Sequence, residues 1–397
     1  MQSLIQIFSR LLEETESKKF RYLYSQIDWS QRLICITGAR GTGKTTMLLQ
    51  YIKTNFADRS KALYASLDNI WFSQNTLFSL AEEFYNFGGE HLFLDEVHRY
   101  PNWSIEIKNI YDSFPKLKIV FTGSSILEIY KSNADLSRRA ISYTLKGLSF
   151  REFLNFELET DFKSYDLDYI LKNHTNIVSD LNSQMKVLAH FRNYLEHGYY
   201  PFYKEGIKNY PIRIQNVVNT ILDNDLPAIE NIEYSSIIKI KKMLMIISSL
   251  VPFTPNITSL SHDIAINREQ AIKYLHYLQK AALITLLNSS CKGMGLMKKP
   301  EKIYLENTNL LYALSQNPVN EGNIRETFFV NQLSYNRNLN TSKEGDFVVD
   351  GKYTFEIGGK SKKFKQIKDI PNSYIAMEGI EAGYGNKIPI WLFGFIY

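Results

Sequence analysis

Cysteine is nearly absent from this chain, with Cys35 and Cys291 the two thiols in 397 residues. That scarcity excludes a disulfide-built scaffold, and a reducing cytoplasm is the compartment it fits. Long apolar runs are also missing. The most apolar, Met243 to Phe253, is broken by Ser248 and Ser249 and is too short to span a bilayer, so no membrane partner is expected. The opening residues, MQSLIQIFSRLLEETESKK, have no apolar signal-peptide core and read as an amphipathic helix. There is no internal repeat to suggest a solenoid and no low-complexity segment. Nor does one sign of charge dominate: the net charge of +5 is a mild lean toward polyanionic partners.

What is present is a globular composition, 44% hydrophobic and 22% charged, with 26 Tyr and 24 Phe to furnish cores and contact surfaces. The length exceeds what one core serves and predicts roughly two to four domains.

The stretch from Leu33 to Gln50, LICITGARGTGKTTMLLQ, reads as an apolar strand, a glycine-rich turn and a helix. Gly38, Gly43, Lys44 and Thr45 fit the spacing of a phosphate-binding loop. Glycines let successive main-chain N–H groups turn inward toward phosphate oxygens, and the helix opening at Lys44 adds the positive end of its dipole. Gly38, Ala39, Arg40, Gly41, Thr42, Gly43, Lys44, Thr45 and Thr46 are therefore the candidate ATP-binding residues. Lys44 would neutralise the β- and γ-phosphates, and the Thr45 hydroxyl would take a position on Mg²⁺. Upstream, Arg10, Lys18, Lys19 and Arg21 read as a solvated basic face, and the aromatics of RYLYSQIDWSQR as packing beside the first strand.

KALYASLD, Lys61 to Asp68, predicts a second buried strand. HLFLDEVHRYPNW then carries the second chemical signature, because Leu92, Phe93 and Leu94 lead directly to Asp95 and Glu96. At the carboxyl edge of a parallel sheet those acids lie beside the phosphate loop. Asp95 would hold Mg²⁺, and Glu96 would orient and deprotonate the attacking water. A strand stopping in a solvated acidic turn is the plainer alternative. LKIVFTGSS, Leu117 to Ser125, predicts a further strand whose Thr122 and Ser124 could sense the γ-phosphate, or else cap the helix expected in SILEIYKS. Arg138 and Arg139 are candidate arginine fingers, with surface ion pairing as the competing role.

Together GARGTGKTT, FLDEVHRYPNW, FTGSS and the RR…LKGLSFREF tail resemble the AAA-type ATPases of bacteria and archaea that join an ATP-binding domain to a C-terminal DUF4143 domain. The resemblance implies a P-loop NTPase α/β domain with a parallel sheet, ATP with Mg²⁺, and a C-terminal region like restriction-endonuclease folds. This chain departs from the pattern at Ser137, Arg138 and Arg139, where such proteins usually carry a small residue and then Gly-Arg.

The expected fold class is α/β: residues 1–155 the AAA-type P-loop ATPase domain, 156–235 a helical lid, 236–305 a winged-helix-like region, and 306–397 the α/β nuclease-like domain. In the third region IIKIKKMLMIISSL and ITSLSHDIA read as helices, and Asn267 with Gln270 forms a capping-box pattern opening a third. A strand and the glycine-containing hairpin CKGMGLMKKPEKIYLEN would complete a β-wing. The third helix turns a mixed face outward, Arg268, Glu269, Lys273, His276 and Gln279, so DNA reading and a docking role both stay open.

From Asn323 the order is a helix, a strand pair in GDFVVDGKYTFEIGGK, a lysine-rich stretch and a final apolar strand, IPIWLFGFIY. That is the core order of the PD-(D/E)XK fold. Its chemistry needs carboxylates converging on a divalent metal and a lysine beside them. Candidates are Glu326, Asp346, Glu356 and Lys360. A two-residue turn at Asp350-Gly351 would put Asp346 and Glu356 on opposite faces, whereas a three-residue loop through Lys352 would pair them directly. Gly358 stands where the pattern wants lysine, and Lys360 shares that face by strand parity. The run KSKKFKQIK reads as a solvated helix face or a phosphate-binding patch. The functional expectations are an ATPase driving the later domains, with DNA, self-association or a protein partner as candidate contacts; a nucleotide switch with little turnover; or an ATP-gated nuclease.

Overall fold

The computed structural model describes residues 1–124, 135–229, 232–252, 254–289, 299–315 and 318–397. The helix expected after Ser124, Cys291 and the tip of the expected wing fall outside these residues. Two units are present: Met1–Lys146 with Asn219–Glu233, and Gly147–Val218 with Tyr234–Tyr397. Residues 219–233, expected within the lid, thus cluster with the unit that carries the phosphate loop.

The first unit is built on five parallel strands: β1 (Leu33–Gly38), β2 (Ala62–Ser66), β3 (His91–Asp95), β4 (Lys118–Ser124) and β5 (Ile141–Thr144). Their order across the sheet is β2-β3-β4-β1-β5. Every residue of β1 is buried, as its unbroken apolar run demands of a central parallel strand. Helices α1 (Gln2–Glu14), α2 (Lys44–Asn55), α3 (Leu77–Asn86) and α4 (Trp103–Ser113) accompany the sheet. α1 buries Leu4, Phe8 and Leu12, spaced one helical turn apart, and Phe8 meets Tyr64 of β2 at a ring separation of 6.4 Å. Of the approach aromatics, Trp29 stacks on Tyr51 of α2 at 3.8 Å, while the buried Tyr22 donates its hydroxyl to the Thr144 carbonyl of β5, next to β1. β5 was not anticipated; its short, largely exposed ISYT segment gives little apolar signal.

This order fixes where chemistry can occur. β4 lies between β1 and β3, and the register pairs Gly38 with Ser124 and Leu94 with Phe121. The ends of β1, β3 and β4 therefore open onto one edge, at the point where the chain switches direction across the sheet.

The second unit begins with helices over Phe150–Glu157, Leu167–Asn182, Val187–His197 and Tyr210–Thr220, the break at Gly198 to Pro201 falling where the sequence indicates. Helices Tyr234–Leu250, Ile257–Asp263 and Arg268–Lys280 follow, then β6 (Ile284–Leu287) and β7 (Lys302–Leu305), an antiparallel pair. The Asn267–Gln270 capping box forms, and Ile272, Leu275 and Leu278 are buried with Ala271, Tyr274 and Tyr277. Helices Thr308–Leu314 and Glu321–Leu333 lead to a mixed sheet of β8 (Leu339–Thr341), β9 (Phe347–Val349), β10 (Tyr353–Gly358), β11 (Ser373–Met377) and β12 (Lys387–Pro389). The first three strands run antiparallel and the last three parallel, in the order β12-β11-β10-β9-β8. Phe329 packs on Phe347, Phe355 and Phe393 at 5.1 to 5.5 Å and joins helix to sheet.

Two expectations here are corrected. The final apolar run makes only the short β12, then a 3-10 turn over Ile390–Phe395 whose six residues are all buried. A continuous apolar run carries no periodicity that could separate these outcomes. The lysine-rich run is likewise not a helix face: it holds only a 3-10 turn at Phe364–Ile367, leaving Lys363, Lys365 and Lys368 exposed.

Candidate nucleotide site

The turn between β1 and α2 obtains its curvature from glycine. Gly41 and Gly43 have φ of 81° and 93°, a region that side chains with a Cβ seldom enter. Gly38 leaves no room for a side chain, since a Cβ there would run into the Leu145 carbonyl. The loop is also held from outside by Arg21, which donates to the Thr42 carbonyl and, at 2.8 Å, to the Lys146 carbonyl. Arg21 is 5% exposed, so it is a brace and not part of a solvated face. Sequence reasoning missed it because a basic cluster gives no sign of which member turns inward.

Lys44 is buried, and its Nζ donates to the carbonyls of Gly38 at 2.9 Å and Ala39 at 3.1 Å. Burial pushes the ammonium below the usual lysine range, against the opposing pull of Glu96 and Asp95. Next to it, the Thr45 hydroxyl donates to Asp95 Oδ2 at 2.6 Å. Asp95 is 2% exposed and accepts further bonds from Tyr64, at 2.8 Å, and from Thr122. The Tyr64 phenol is pushed far above its ordinary range by burial and by the Asp95 charge. Glu96 follows with φ 51° and ψ 41°, a left-handed conformation that costs a non-glycine residue roughly 1 to 2 kcal/mol. Its N–H is held by Asp95 Oδ1 at 3.1 Å and Thr122 Oγ1 at 3.3 Å. Ser124, at the end of β4, is buried and its hydroxyl has no partner among the described residues.

A second group adjoins the loop. Asp225, fully buried at the end of a π-helical turn over Ile221–Asp225, meets Arg99 Nη2 at 2.7 Å and Arg40 Nη1 at 3.4 Å. His98, also fully buried, places Nε2 at 3.5 Å from Asp225 and Nδ1 at 3.4 Å from Glu96 Oε2. Burial pushes the Asp225 carboxyl up, but His98 and the two guanidinium groups outweigh it and hold the carboxyl below its ordinary value. Sequence reasoning gave His98, Arg99 and Asp225 no role.

The proposed arginines are placed differently. Arg138 is exposed on a 3-10 turn, Asp135–Arg138. Arg139 pairs with Asp112 at 3.3 Å and lies 6.0 Å from the Tyr111 ring, both residues of α4.

In the second unit the loop at Asp350, Gly351 and Lys352 has three residues, with Val349 opposite Tyr353. Asp346 and Glu356 consequently come level; Asp346 donates its N–H to the Phe355 carbonyl and accepts from the Ile357 N–H at 2.7 Å. The ammonium on Glu356 is that of Lys362, not Lys360. β10 stops at Gly358 and the chain turns, so the parity that favoured Lys360 no longer applies. A Cβ at Gly358 would collide with the Lys362 stem, which the glycine therefore accommodates. Glu326 accepts from Tyr304 at 2.8 Å and Lys302 at 3.4 Å. Among the described residues no group of three or more His, Cys, Asp or Glu side chains is arranged to hold a metal ion.

A five-stranded parallel sheet with a lysine-bearing glycine loop after an interior strand, and a buried aspartate at the adjoining edge, is the arrangement of an α/β P-loop domain. Residues 30–154 match the family model described as an AAA domain. Residues 188–321 match a domain of unknown function, DUF8612, a span that covers the expected winged-helix-like region and part of the expected lid and overlaps the expected DUF4143 domain only at 306–321. An uncharacterized protein of Methanocaldococcus jannaschii, MJ1637, is 24% identical over 416 residues, covering 94% of this chain and 86% of that protein. Among solved structures, AMPPCP-bound DnaA from Aquifex aeolicus gives a TM-score of 0.26 at 16% identity, over 70% of this chain and 88% of that one. The S. cerevisiae Hsp104-ADP complex gives 0.27 at 16% identity, over 70% of this chain and 39% of that one. Likenesses of that size carry no weight for fold or function. No helix among the described residues is long and apolar enough to cross a membrane.

Proposed function

We propose that this chain is a Mg²⁺-dependent ATPase whose nucleotide cycle drives conformational change in its winged-helix-like and C-terminal regions, with DNA or a protein as the candidate target. The observation that carries the reading is the meeting of Thr45 and Asp95, 2.6 Å apart, beside a buried lysine at the open edge of a parallel sheet. Hydroxyl, carboxylate and ammonium are the donor set that Mg²⁺ and a triphosphate require. Thr45 and Asp95 would hold the ion, which when bound neutralises charge on the phosphate oxygens.

The protein's own groups do the remainder. Main-chain N–H groups of the glycine loop grip phosphate oxygens, and Lys44 exchanges its two carbonyl partners for them. Glu96 accepts a proton from the attacking water, and the unpartnered Ser124 hydroxyl fits a role toward that water or the terminal phosphate. Single-turnover hydrolysis by the parent and by Glu96→Gln tests the reading. Bound but uncleaved ATP in the variant supports it, unchanged cleavage removes Glu96 as base, and negligible cleavage by the parent with tight binding favours a nucleotide switch.

In the C-terminal sheet Lys362 supplies a lysine beside a carboxylate, but among the described residues no group of three or more acids or histidines is arranged to hold the metal that cleavage needs, which favours a docking role. Plasmid incubated with ATP and Mg²⁺ or Mn²⁺ should stay intact, and cutting abolished by Asp346→Ala would restore the ATP-gated nuclease.

A further inference from the structure

Asp225 is a fully buried carboxylate contributed by residues 219–233, which cluster with the nucleotide unit although the chain on both sides belongs to the other unit. Its partners are a residue of the phosphate loop, Arg40, and the two residues His98 and Arg99 that follow the candidate base. Stability alone is a poor explanation, because a buried ion pair replaced by well-packed apolar groups is often as stable or more so. The ring nitrogens of His98 have no hydrogen-bond partner of good geometry, yet lie 3.4 Å from Glu96 and 3.5 Å from Asp225. Small rotations would close either contact. With a proton on each ring nitrogen the imidazole donates from Nδ1 to Glu96 and from Nε2 to Asp225, so one ring links the two carboxylates.

We propose that His98 and Asp225 are positioning residues for ATP hydrolysis: His98 holds the Glu96 carboxylate, and Asp225 holds His98 in place while keeping the Arg40 guanidinium off the phosphate. The proposal rests on the ATPase reading. It makes Asp225 the residue through which residues 219–233 set both the aim of the base and the charge of the loop. Removing that carboxylate has two effects of opposite sign. Glu96 loses its support, which slows the chemical step, and Arg40 is released to a phosphate, which tightens nucleotide binding.

The test measures kcat, KM and fluorescent-ATP affinity for the full chain and for Asp225→Asn, His98→Gln and the double variant, with thermal unfolding of each. The expected result is a kcat lowered roughly tenfold to a hundredfold in both single variants. Nucleotide affinity in Asp225→Asn should be equal or tighter, and the double variant should be no slower than the worse single one. Parent-like kcat in His98→Gln overturns the proposal, and that variant decides alone if Asp225→Asn fails to fold. Weaker binding in Asp225→Asn, in step with lost stability, also overturns it by showing a merely structural role. A parent that binds ATP and hydrolyses it while the variants behave as the parent does refutes this inference only. A parent that does neither refutes the ATPase reading, and this inference with it.

Discussion

Tyr64→Phe separates what Asp95 needs for folding from what it needs for a ligand. The phenol is 5% exposed and its hydroxyl donates to Asp95 Oδ2 at 2.8 Å, while Thr45 donates to the same oxygen at 2.6 Å. Phenylalanine keeps the ring packed against Phe8 and removes only the hydroxyl. A hydrogen bond to a charged acceptor is worth about 1.5–3 kcal/mol, and with Thr45 still in place the lower half of that range applies. For a unit of this size each kcal/mol shifts the melting point by roughly 2–4 °C, so the apo protein should melt about 3–9 °C lower. Affinity for Mg²⁺ and ATP should move the other way or not at all, because a lone pair on Asp95 is freed. Scanning fluorimetry reads the first quantity and isothermal calorimetry with Mg²⁺ and ATP the second. An unchanged melting point with a marked loss of affinity would refute the reasoning, since the Tyr64 hydroxyl would then be acting on the ligand and not on the carboxylate.

Four other substitutions have defined outcomes. Lys44→Ala should abolish ATP binding in calorimetry without unfolding the protein, because its bonds run to two loop carbonyls that water can serve. Arg21→Ala removes the brace on the Thr42 carbonyl, and KM for ATP should rise severalfold with kcat changed less, as steady-state kinetics would show. Asp112→Ala should leave ATP turnover intact if Arg139 serves the surface pair seen here, whereas a large drop in kcat would mean that Arg139 takes part in hydrolysis. Glu356→Gln addresses pH: burial raises the Glu356 carboxyl above 4.5, with Lys362 partly opposing it. The folded state then binds more protons than the unfolded one between 4.5 and the raised value, so parental stability falls as pH rises through that window. Urea melts across it should show the fall in the parent and not in the variant.

The strands were legible where the chain is buried on both faces and ends in polar residues. LICITG, ALYAS, HLFLD and KIVFTGS form β1 to β4 because a central parallel strand needs an unbroken apolar run, and the residue at which the run stops marks the sheet edge. β5 and β11 escaped notice. One is an exposed edge segment, and the other, SYIAM, follows a lysine-rich stretch that draws attention to charge. The three-residue hairpin loop could be stated as one of two alternatives, since parity alone decides which face a residue takes; choosing between them needed the pairing of Val349 with Tyr353.

The limits of sequence reasoning at the site follow from how far each contact reaches along the chain. Lys44, Thr45, Asp95 and Glu96 could be nominated because a local motif or a strand end fixes each of them. Lys362 could not be found by parity, which holds only while the strand continues, and β10 ends at Gly358. Asp225 lies 185 residues from Arg40, in a segment with no motif of its own, and only tertiary folding puts its carboxylate against the loop. Local motifs identify the groups that touch a ligand, since chemistry restricts both their type and their spacing. Groups that hold those groups in position can come from anywhere in the chain, and so the most informative polar residue in this domain is one the sequence left silent.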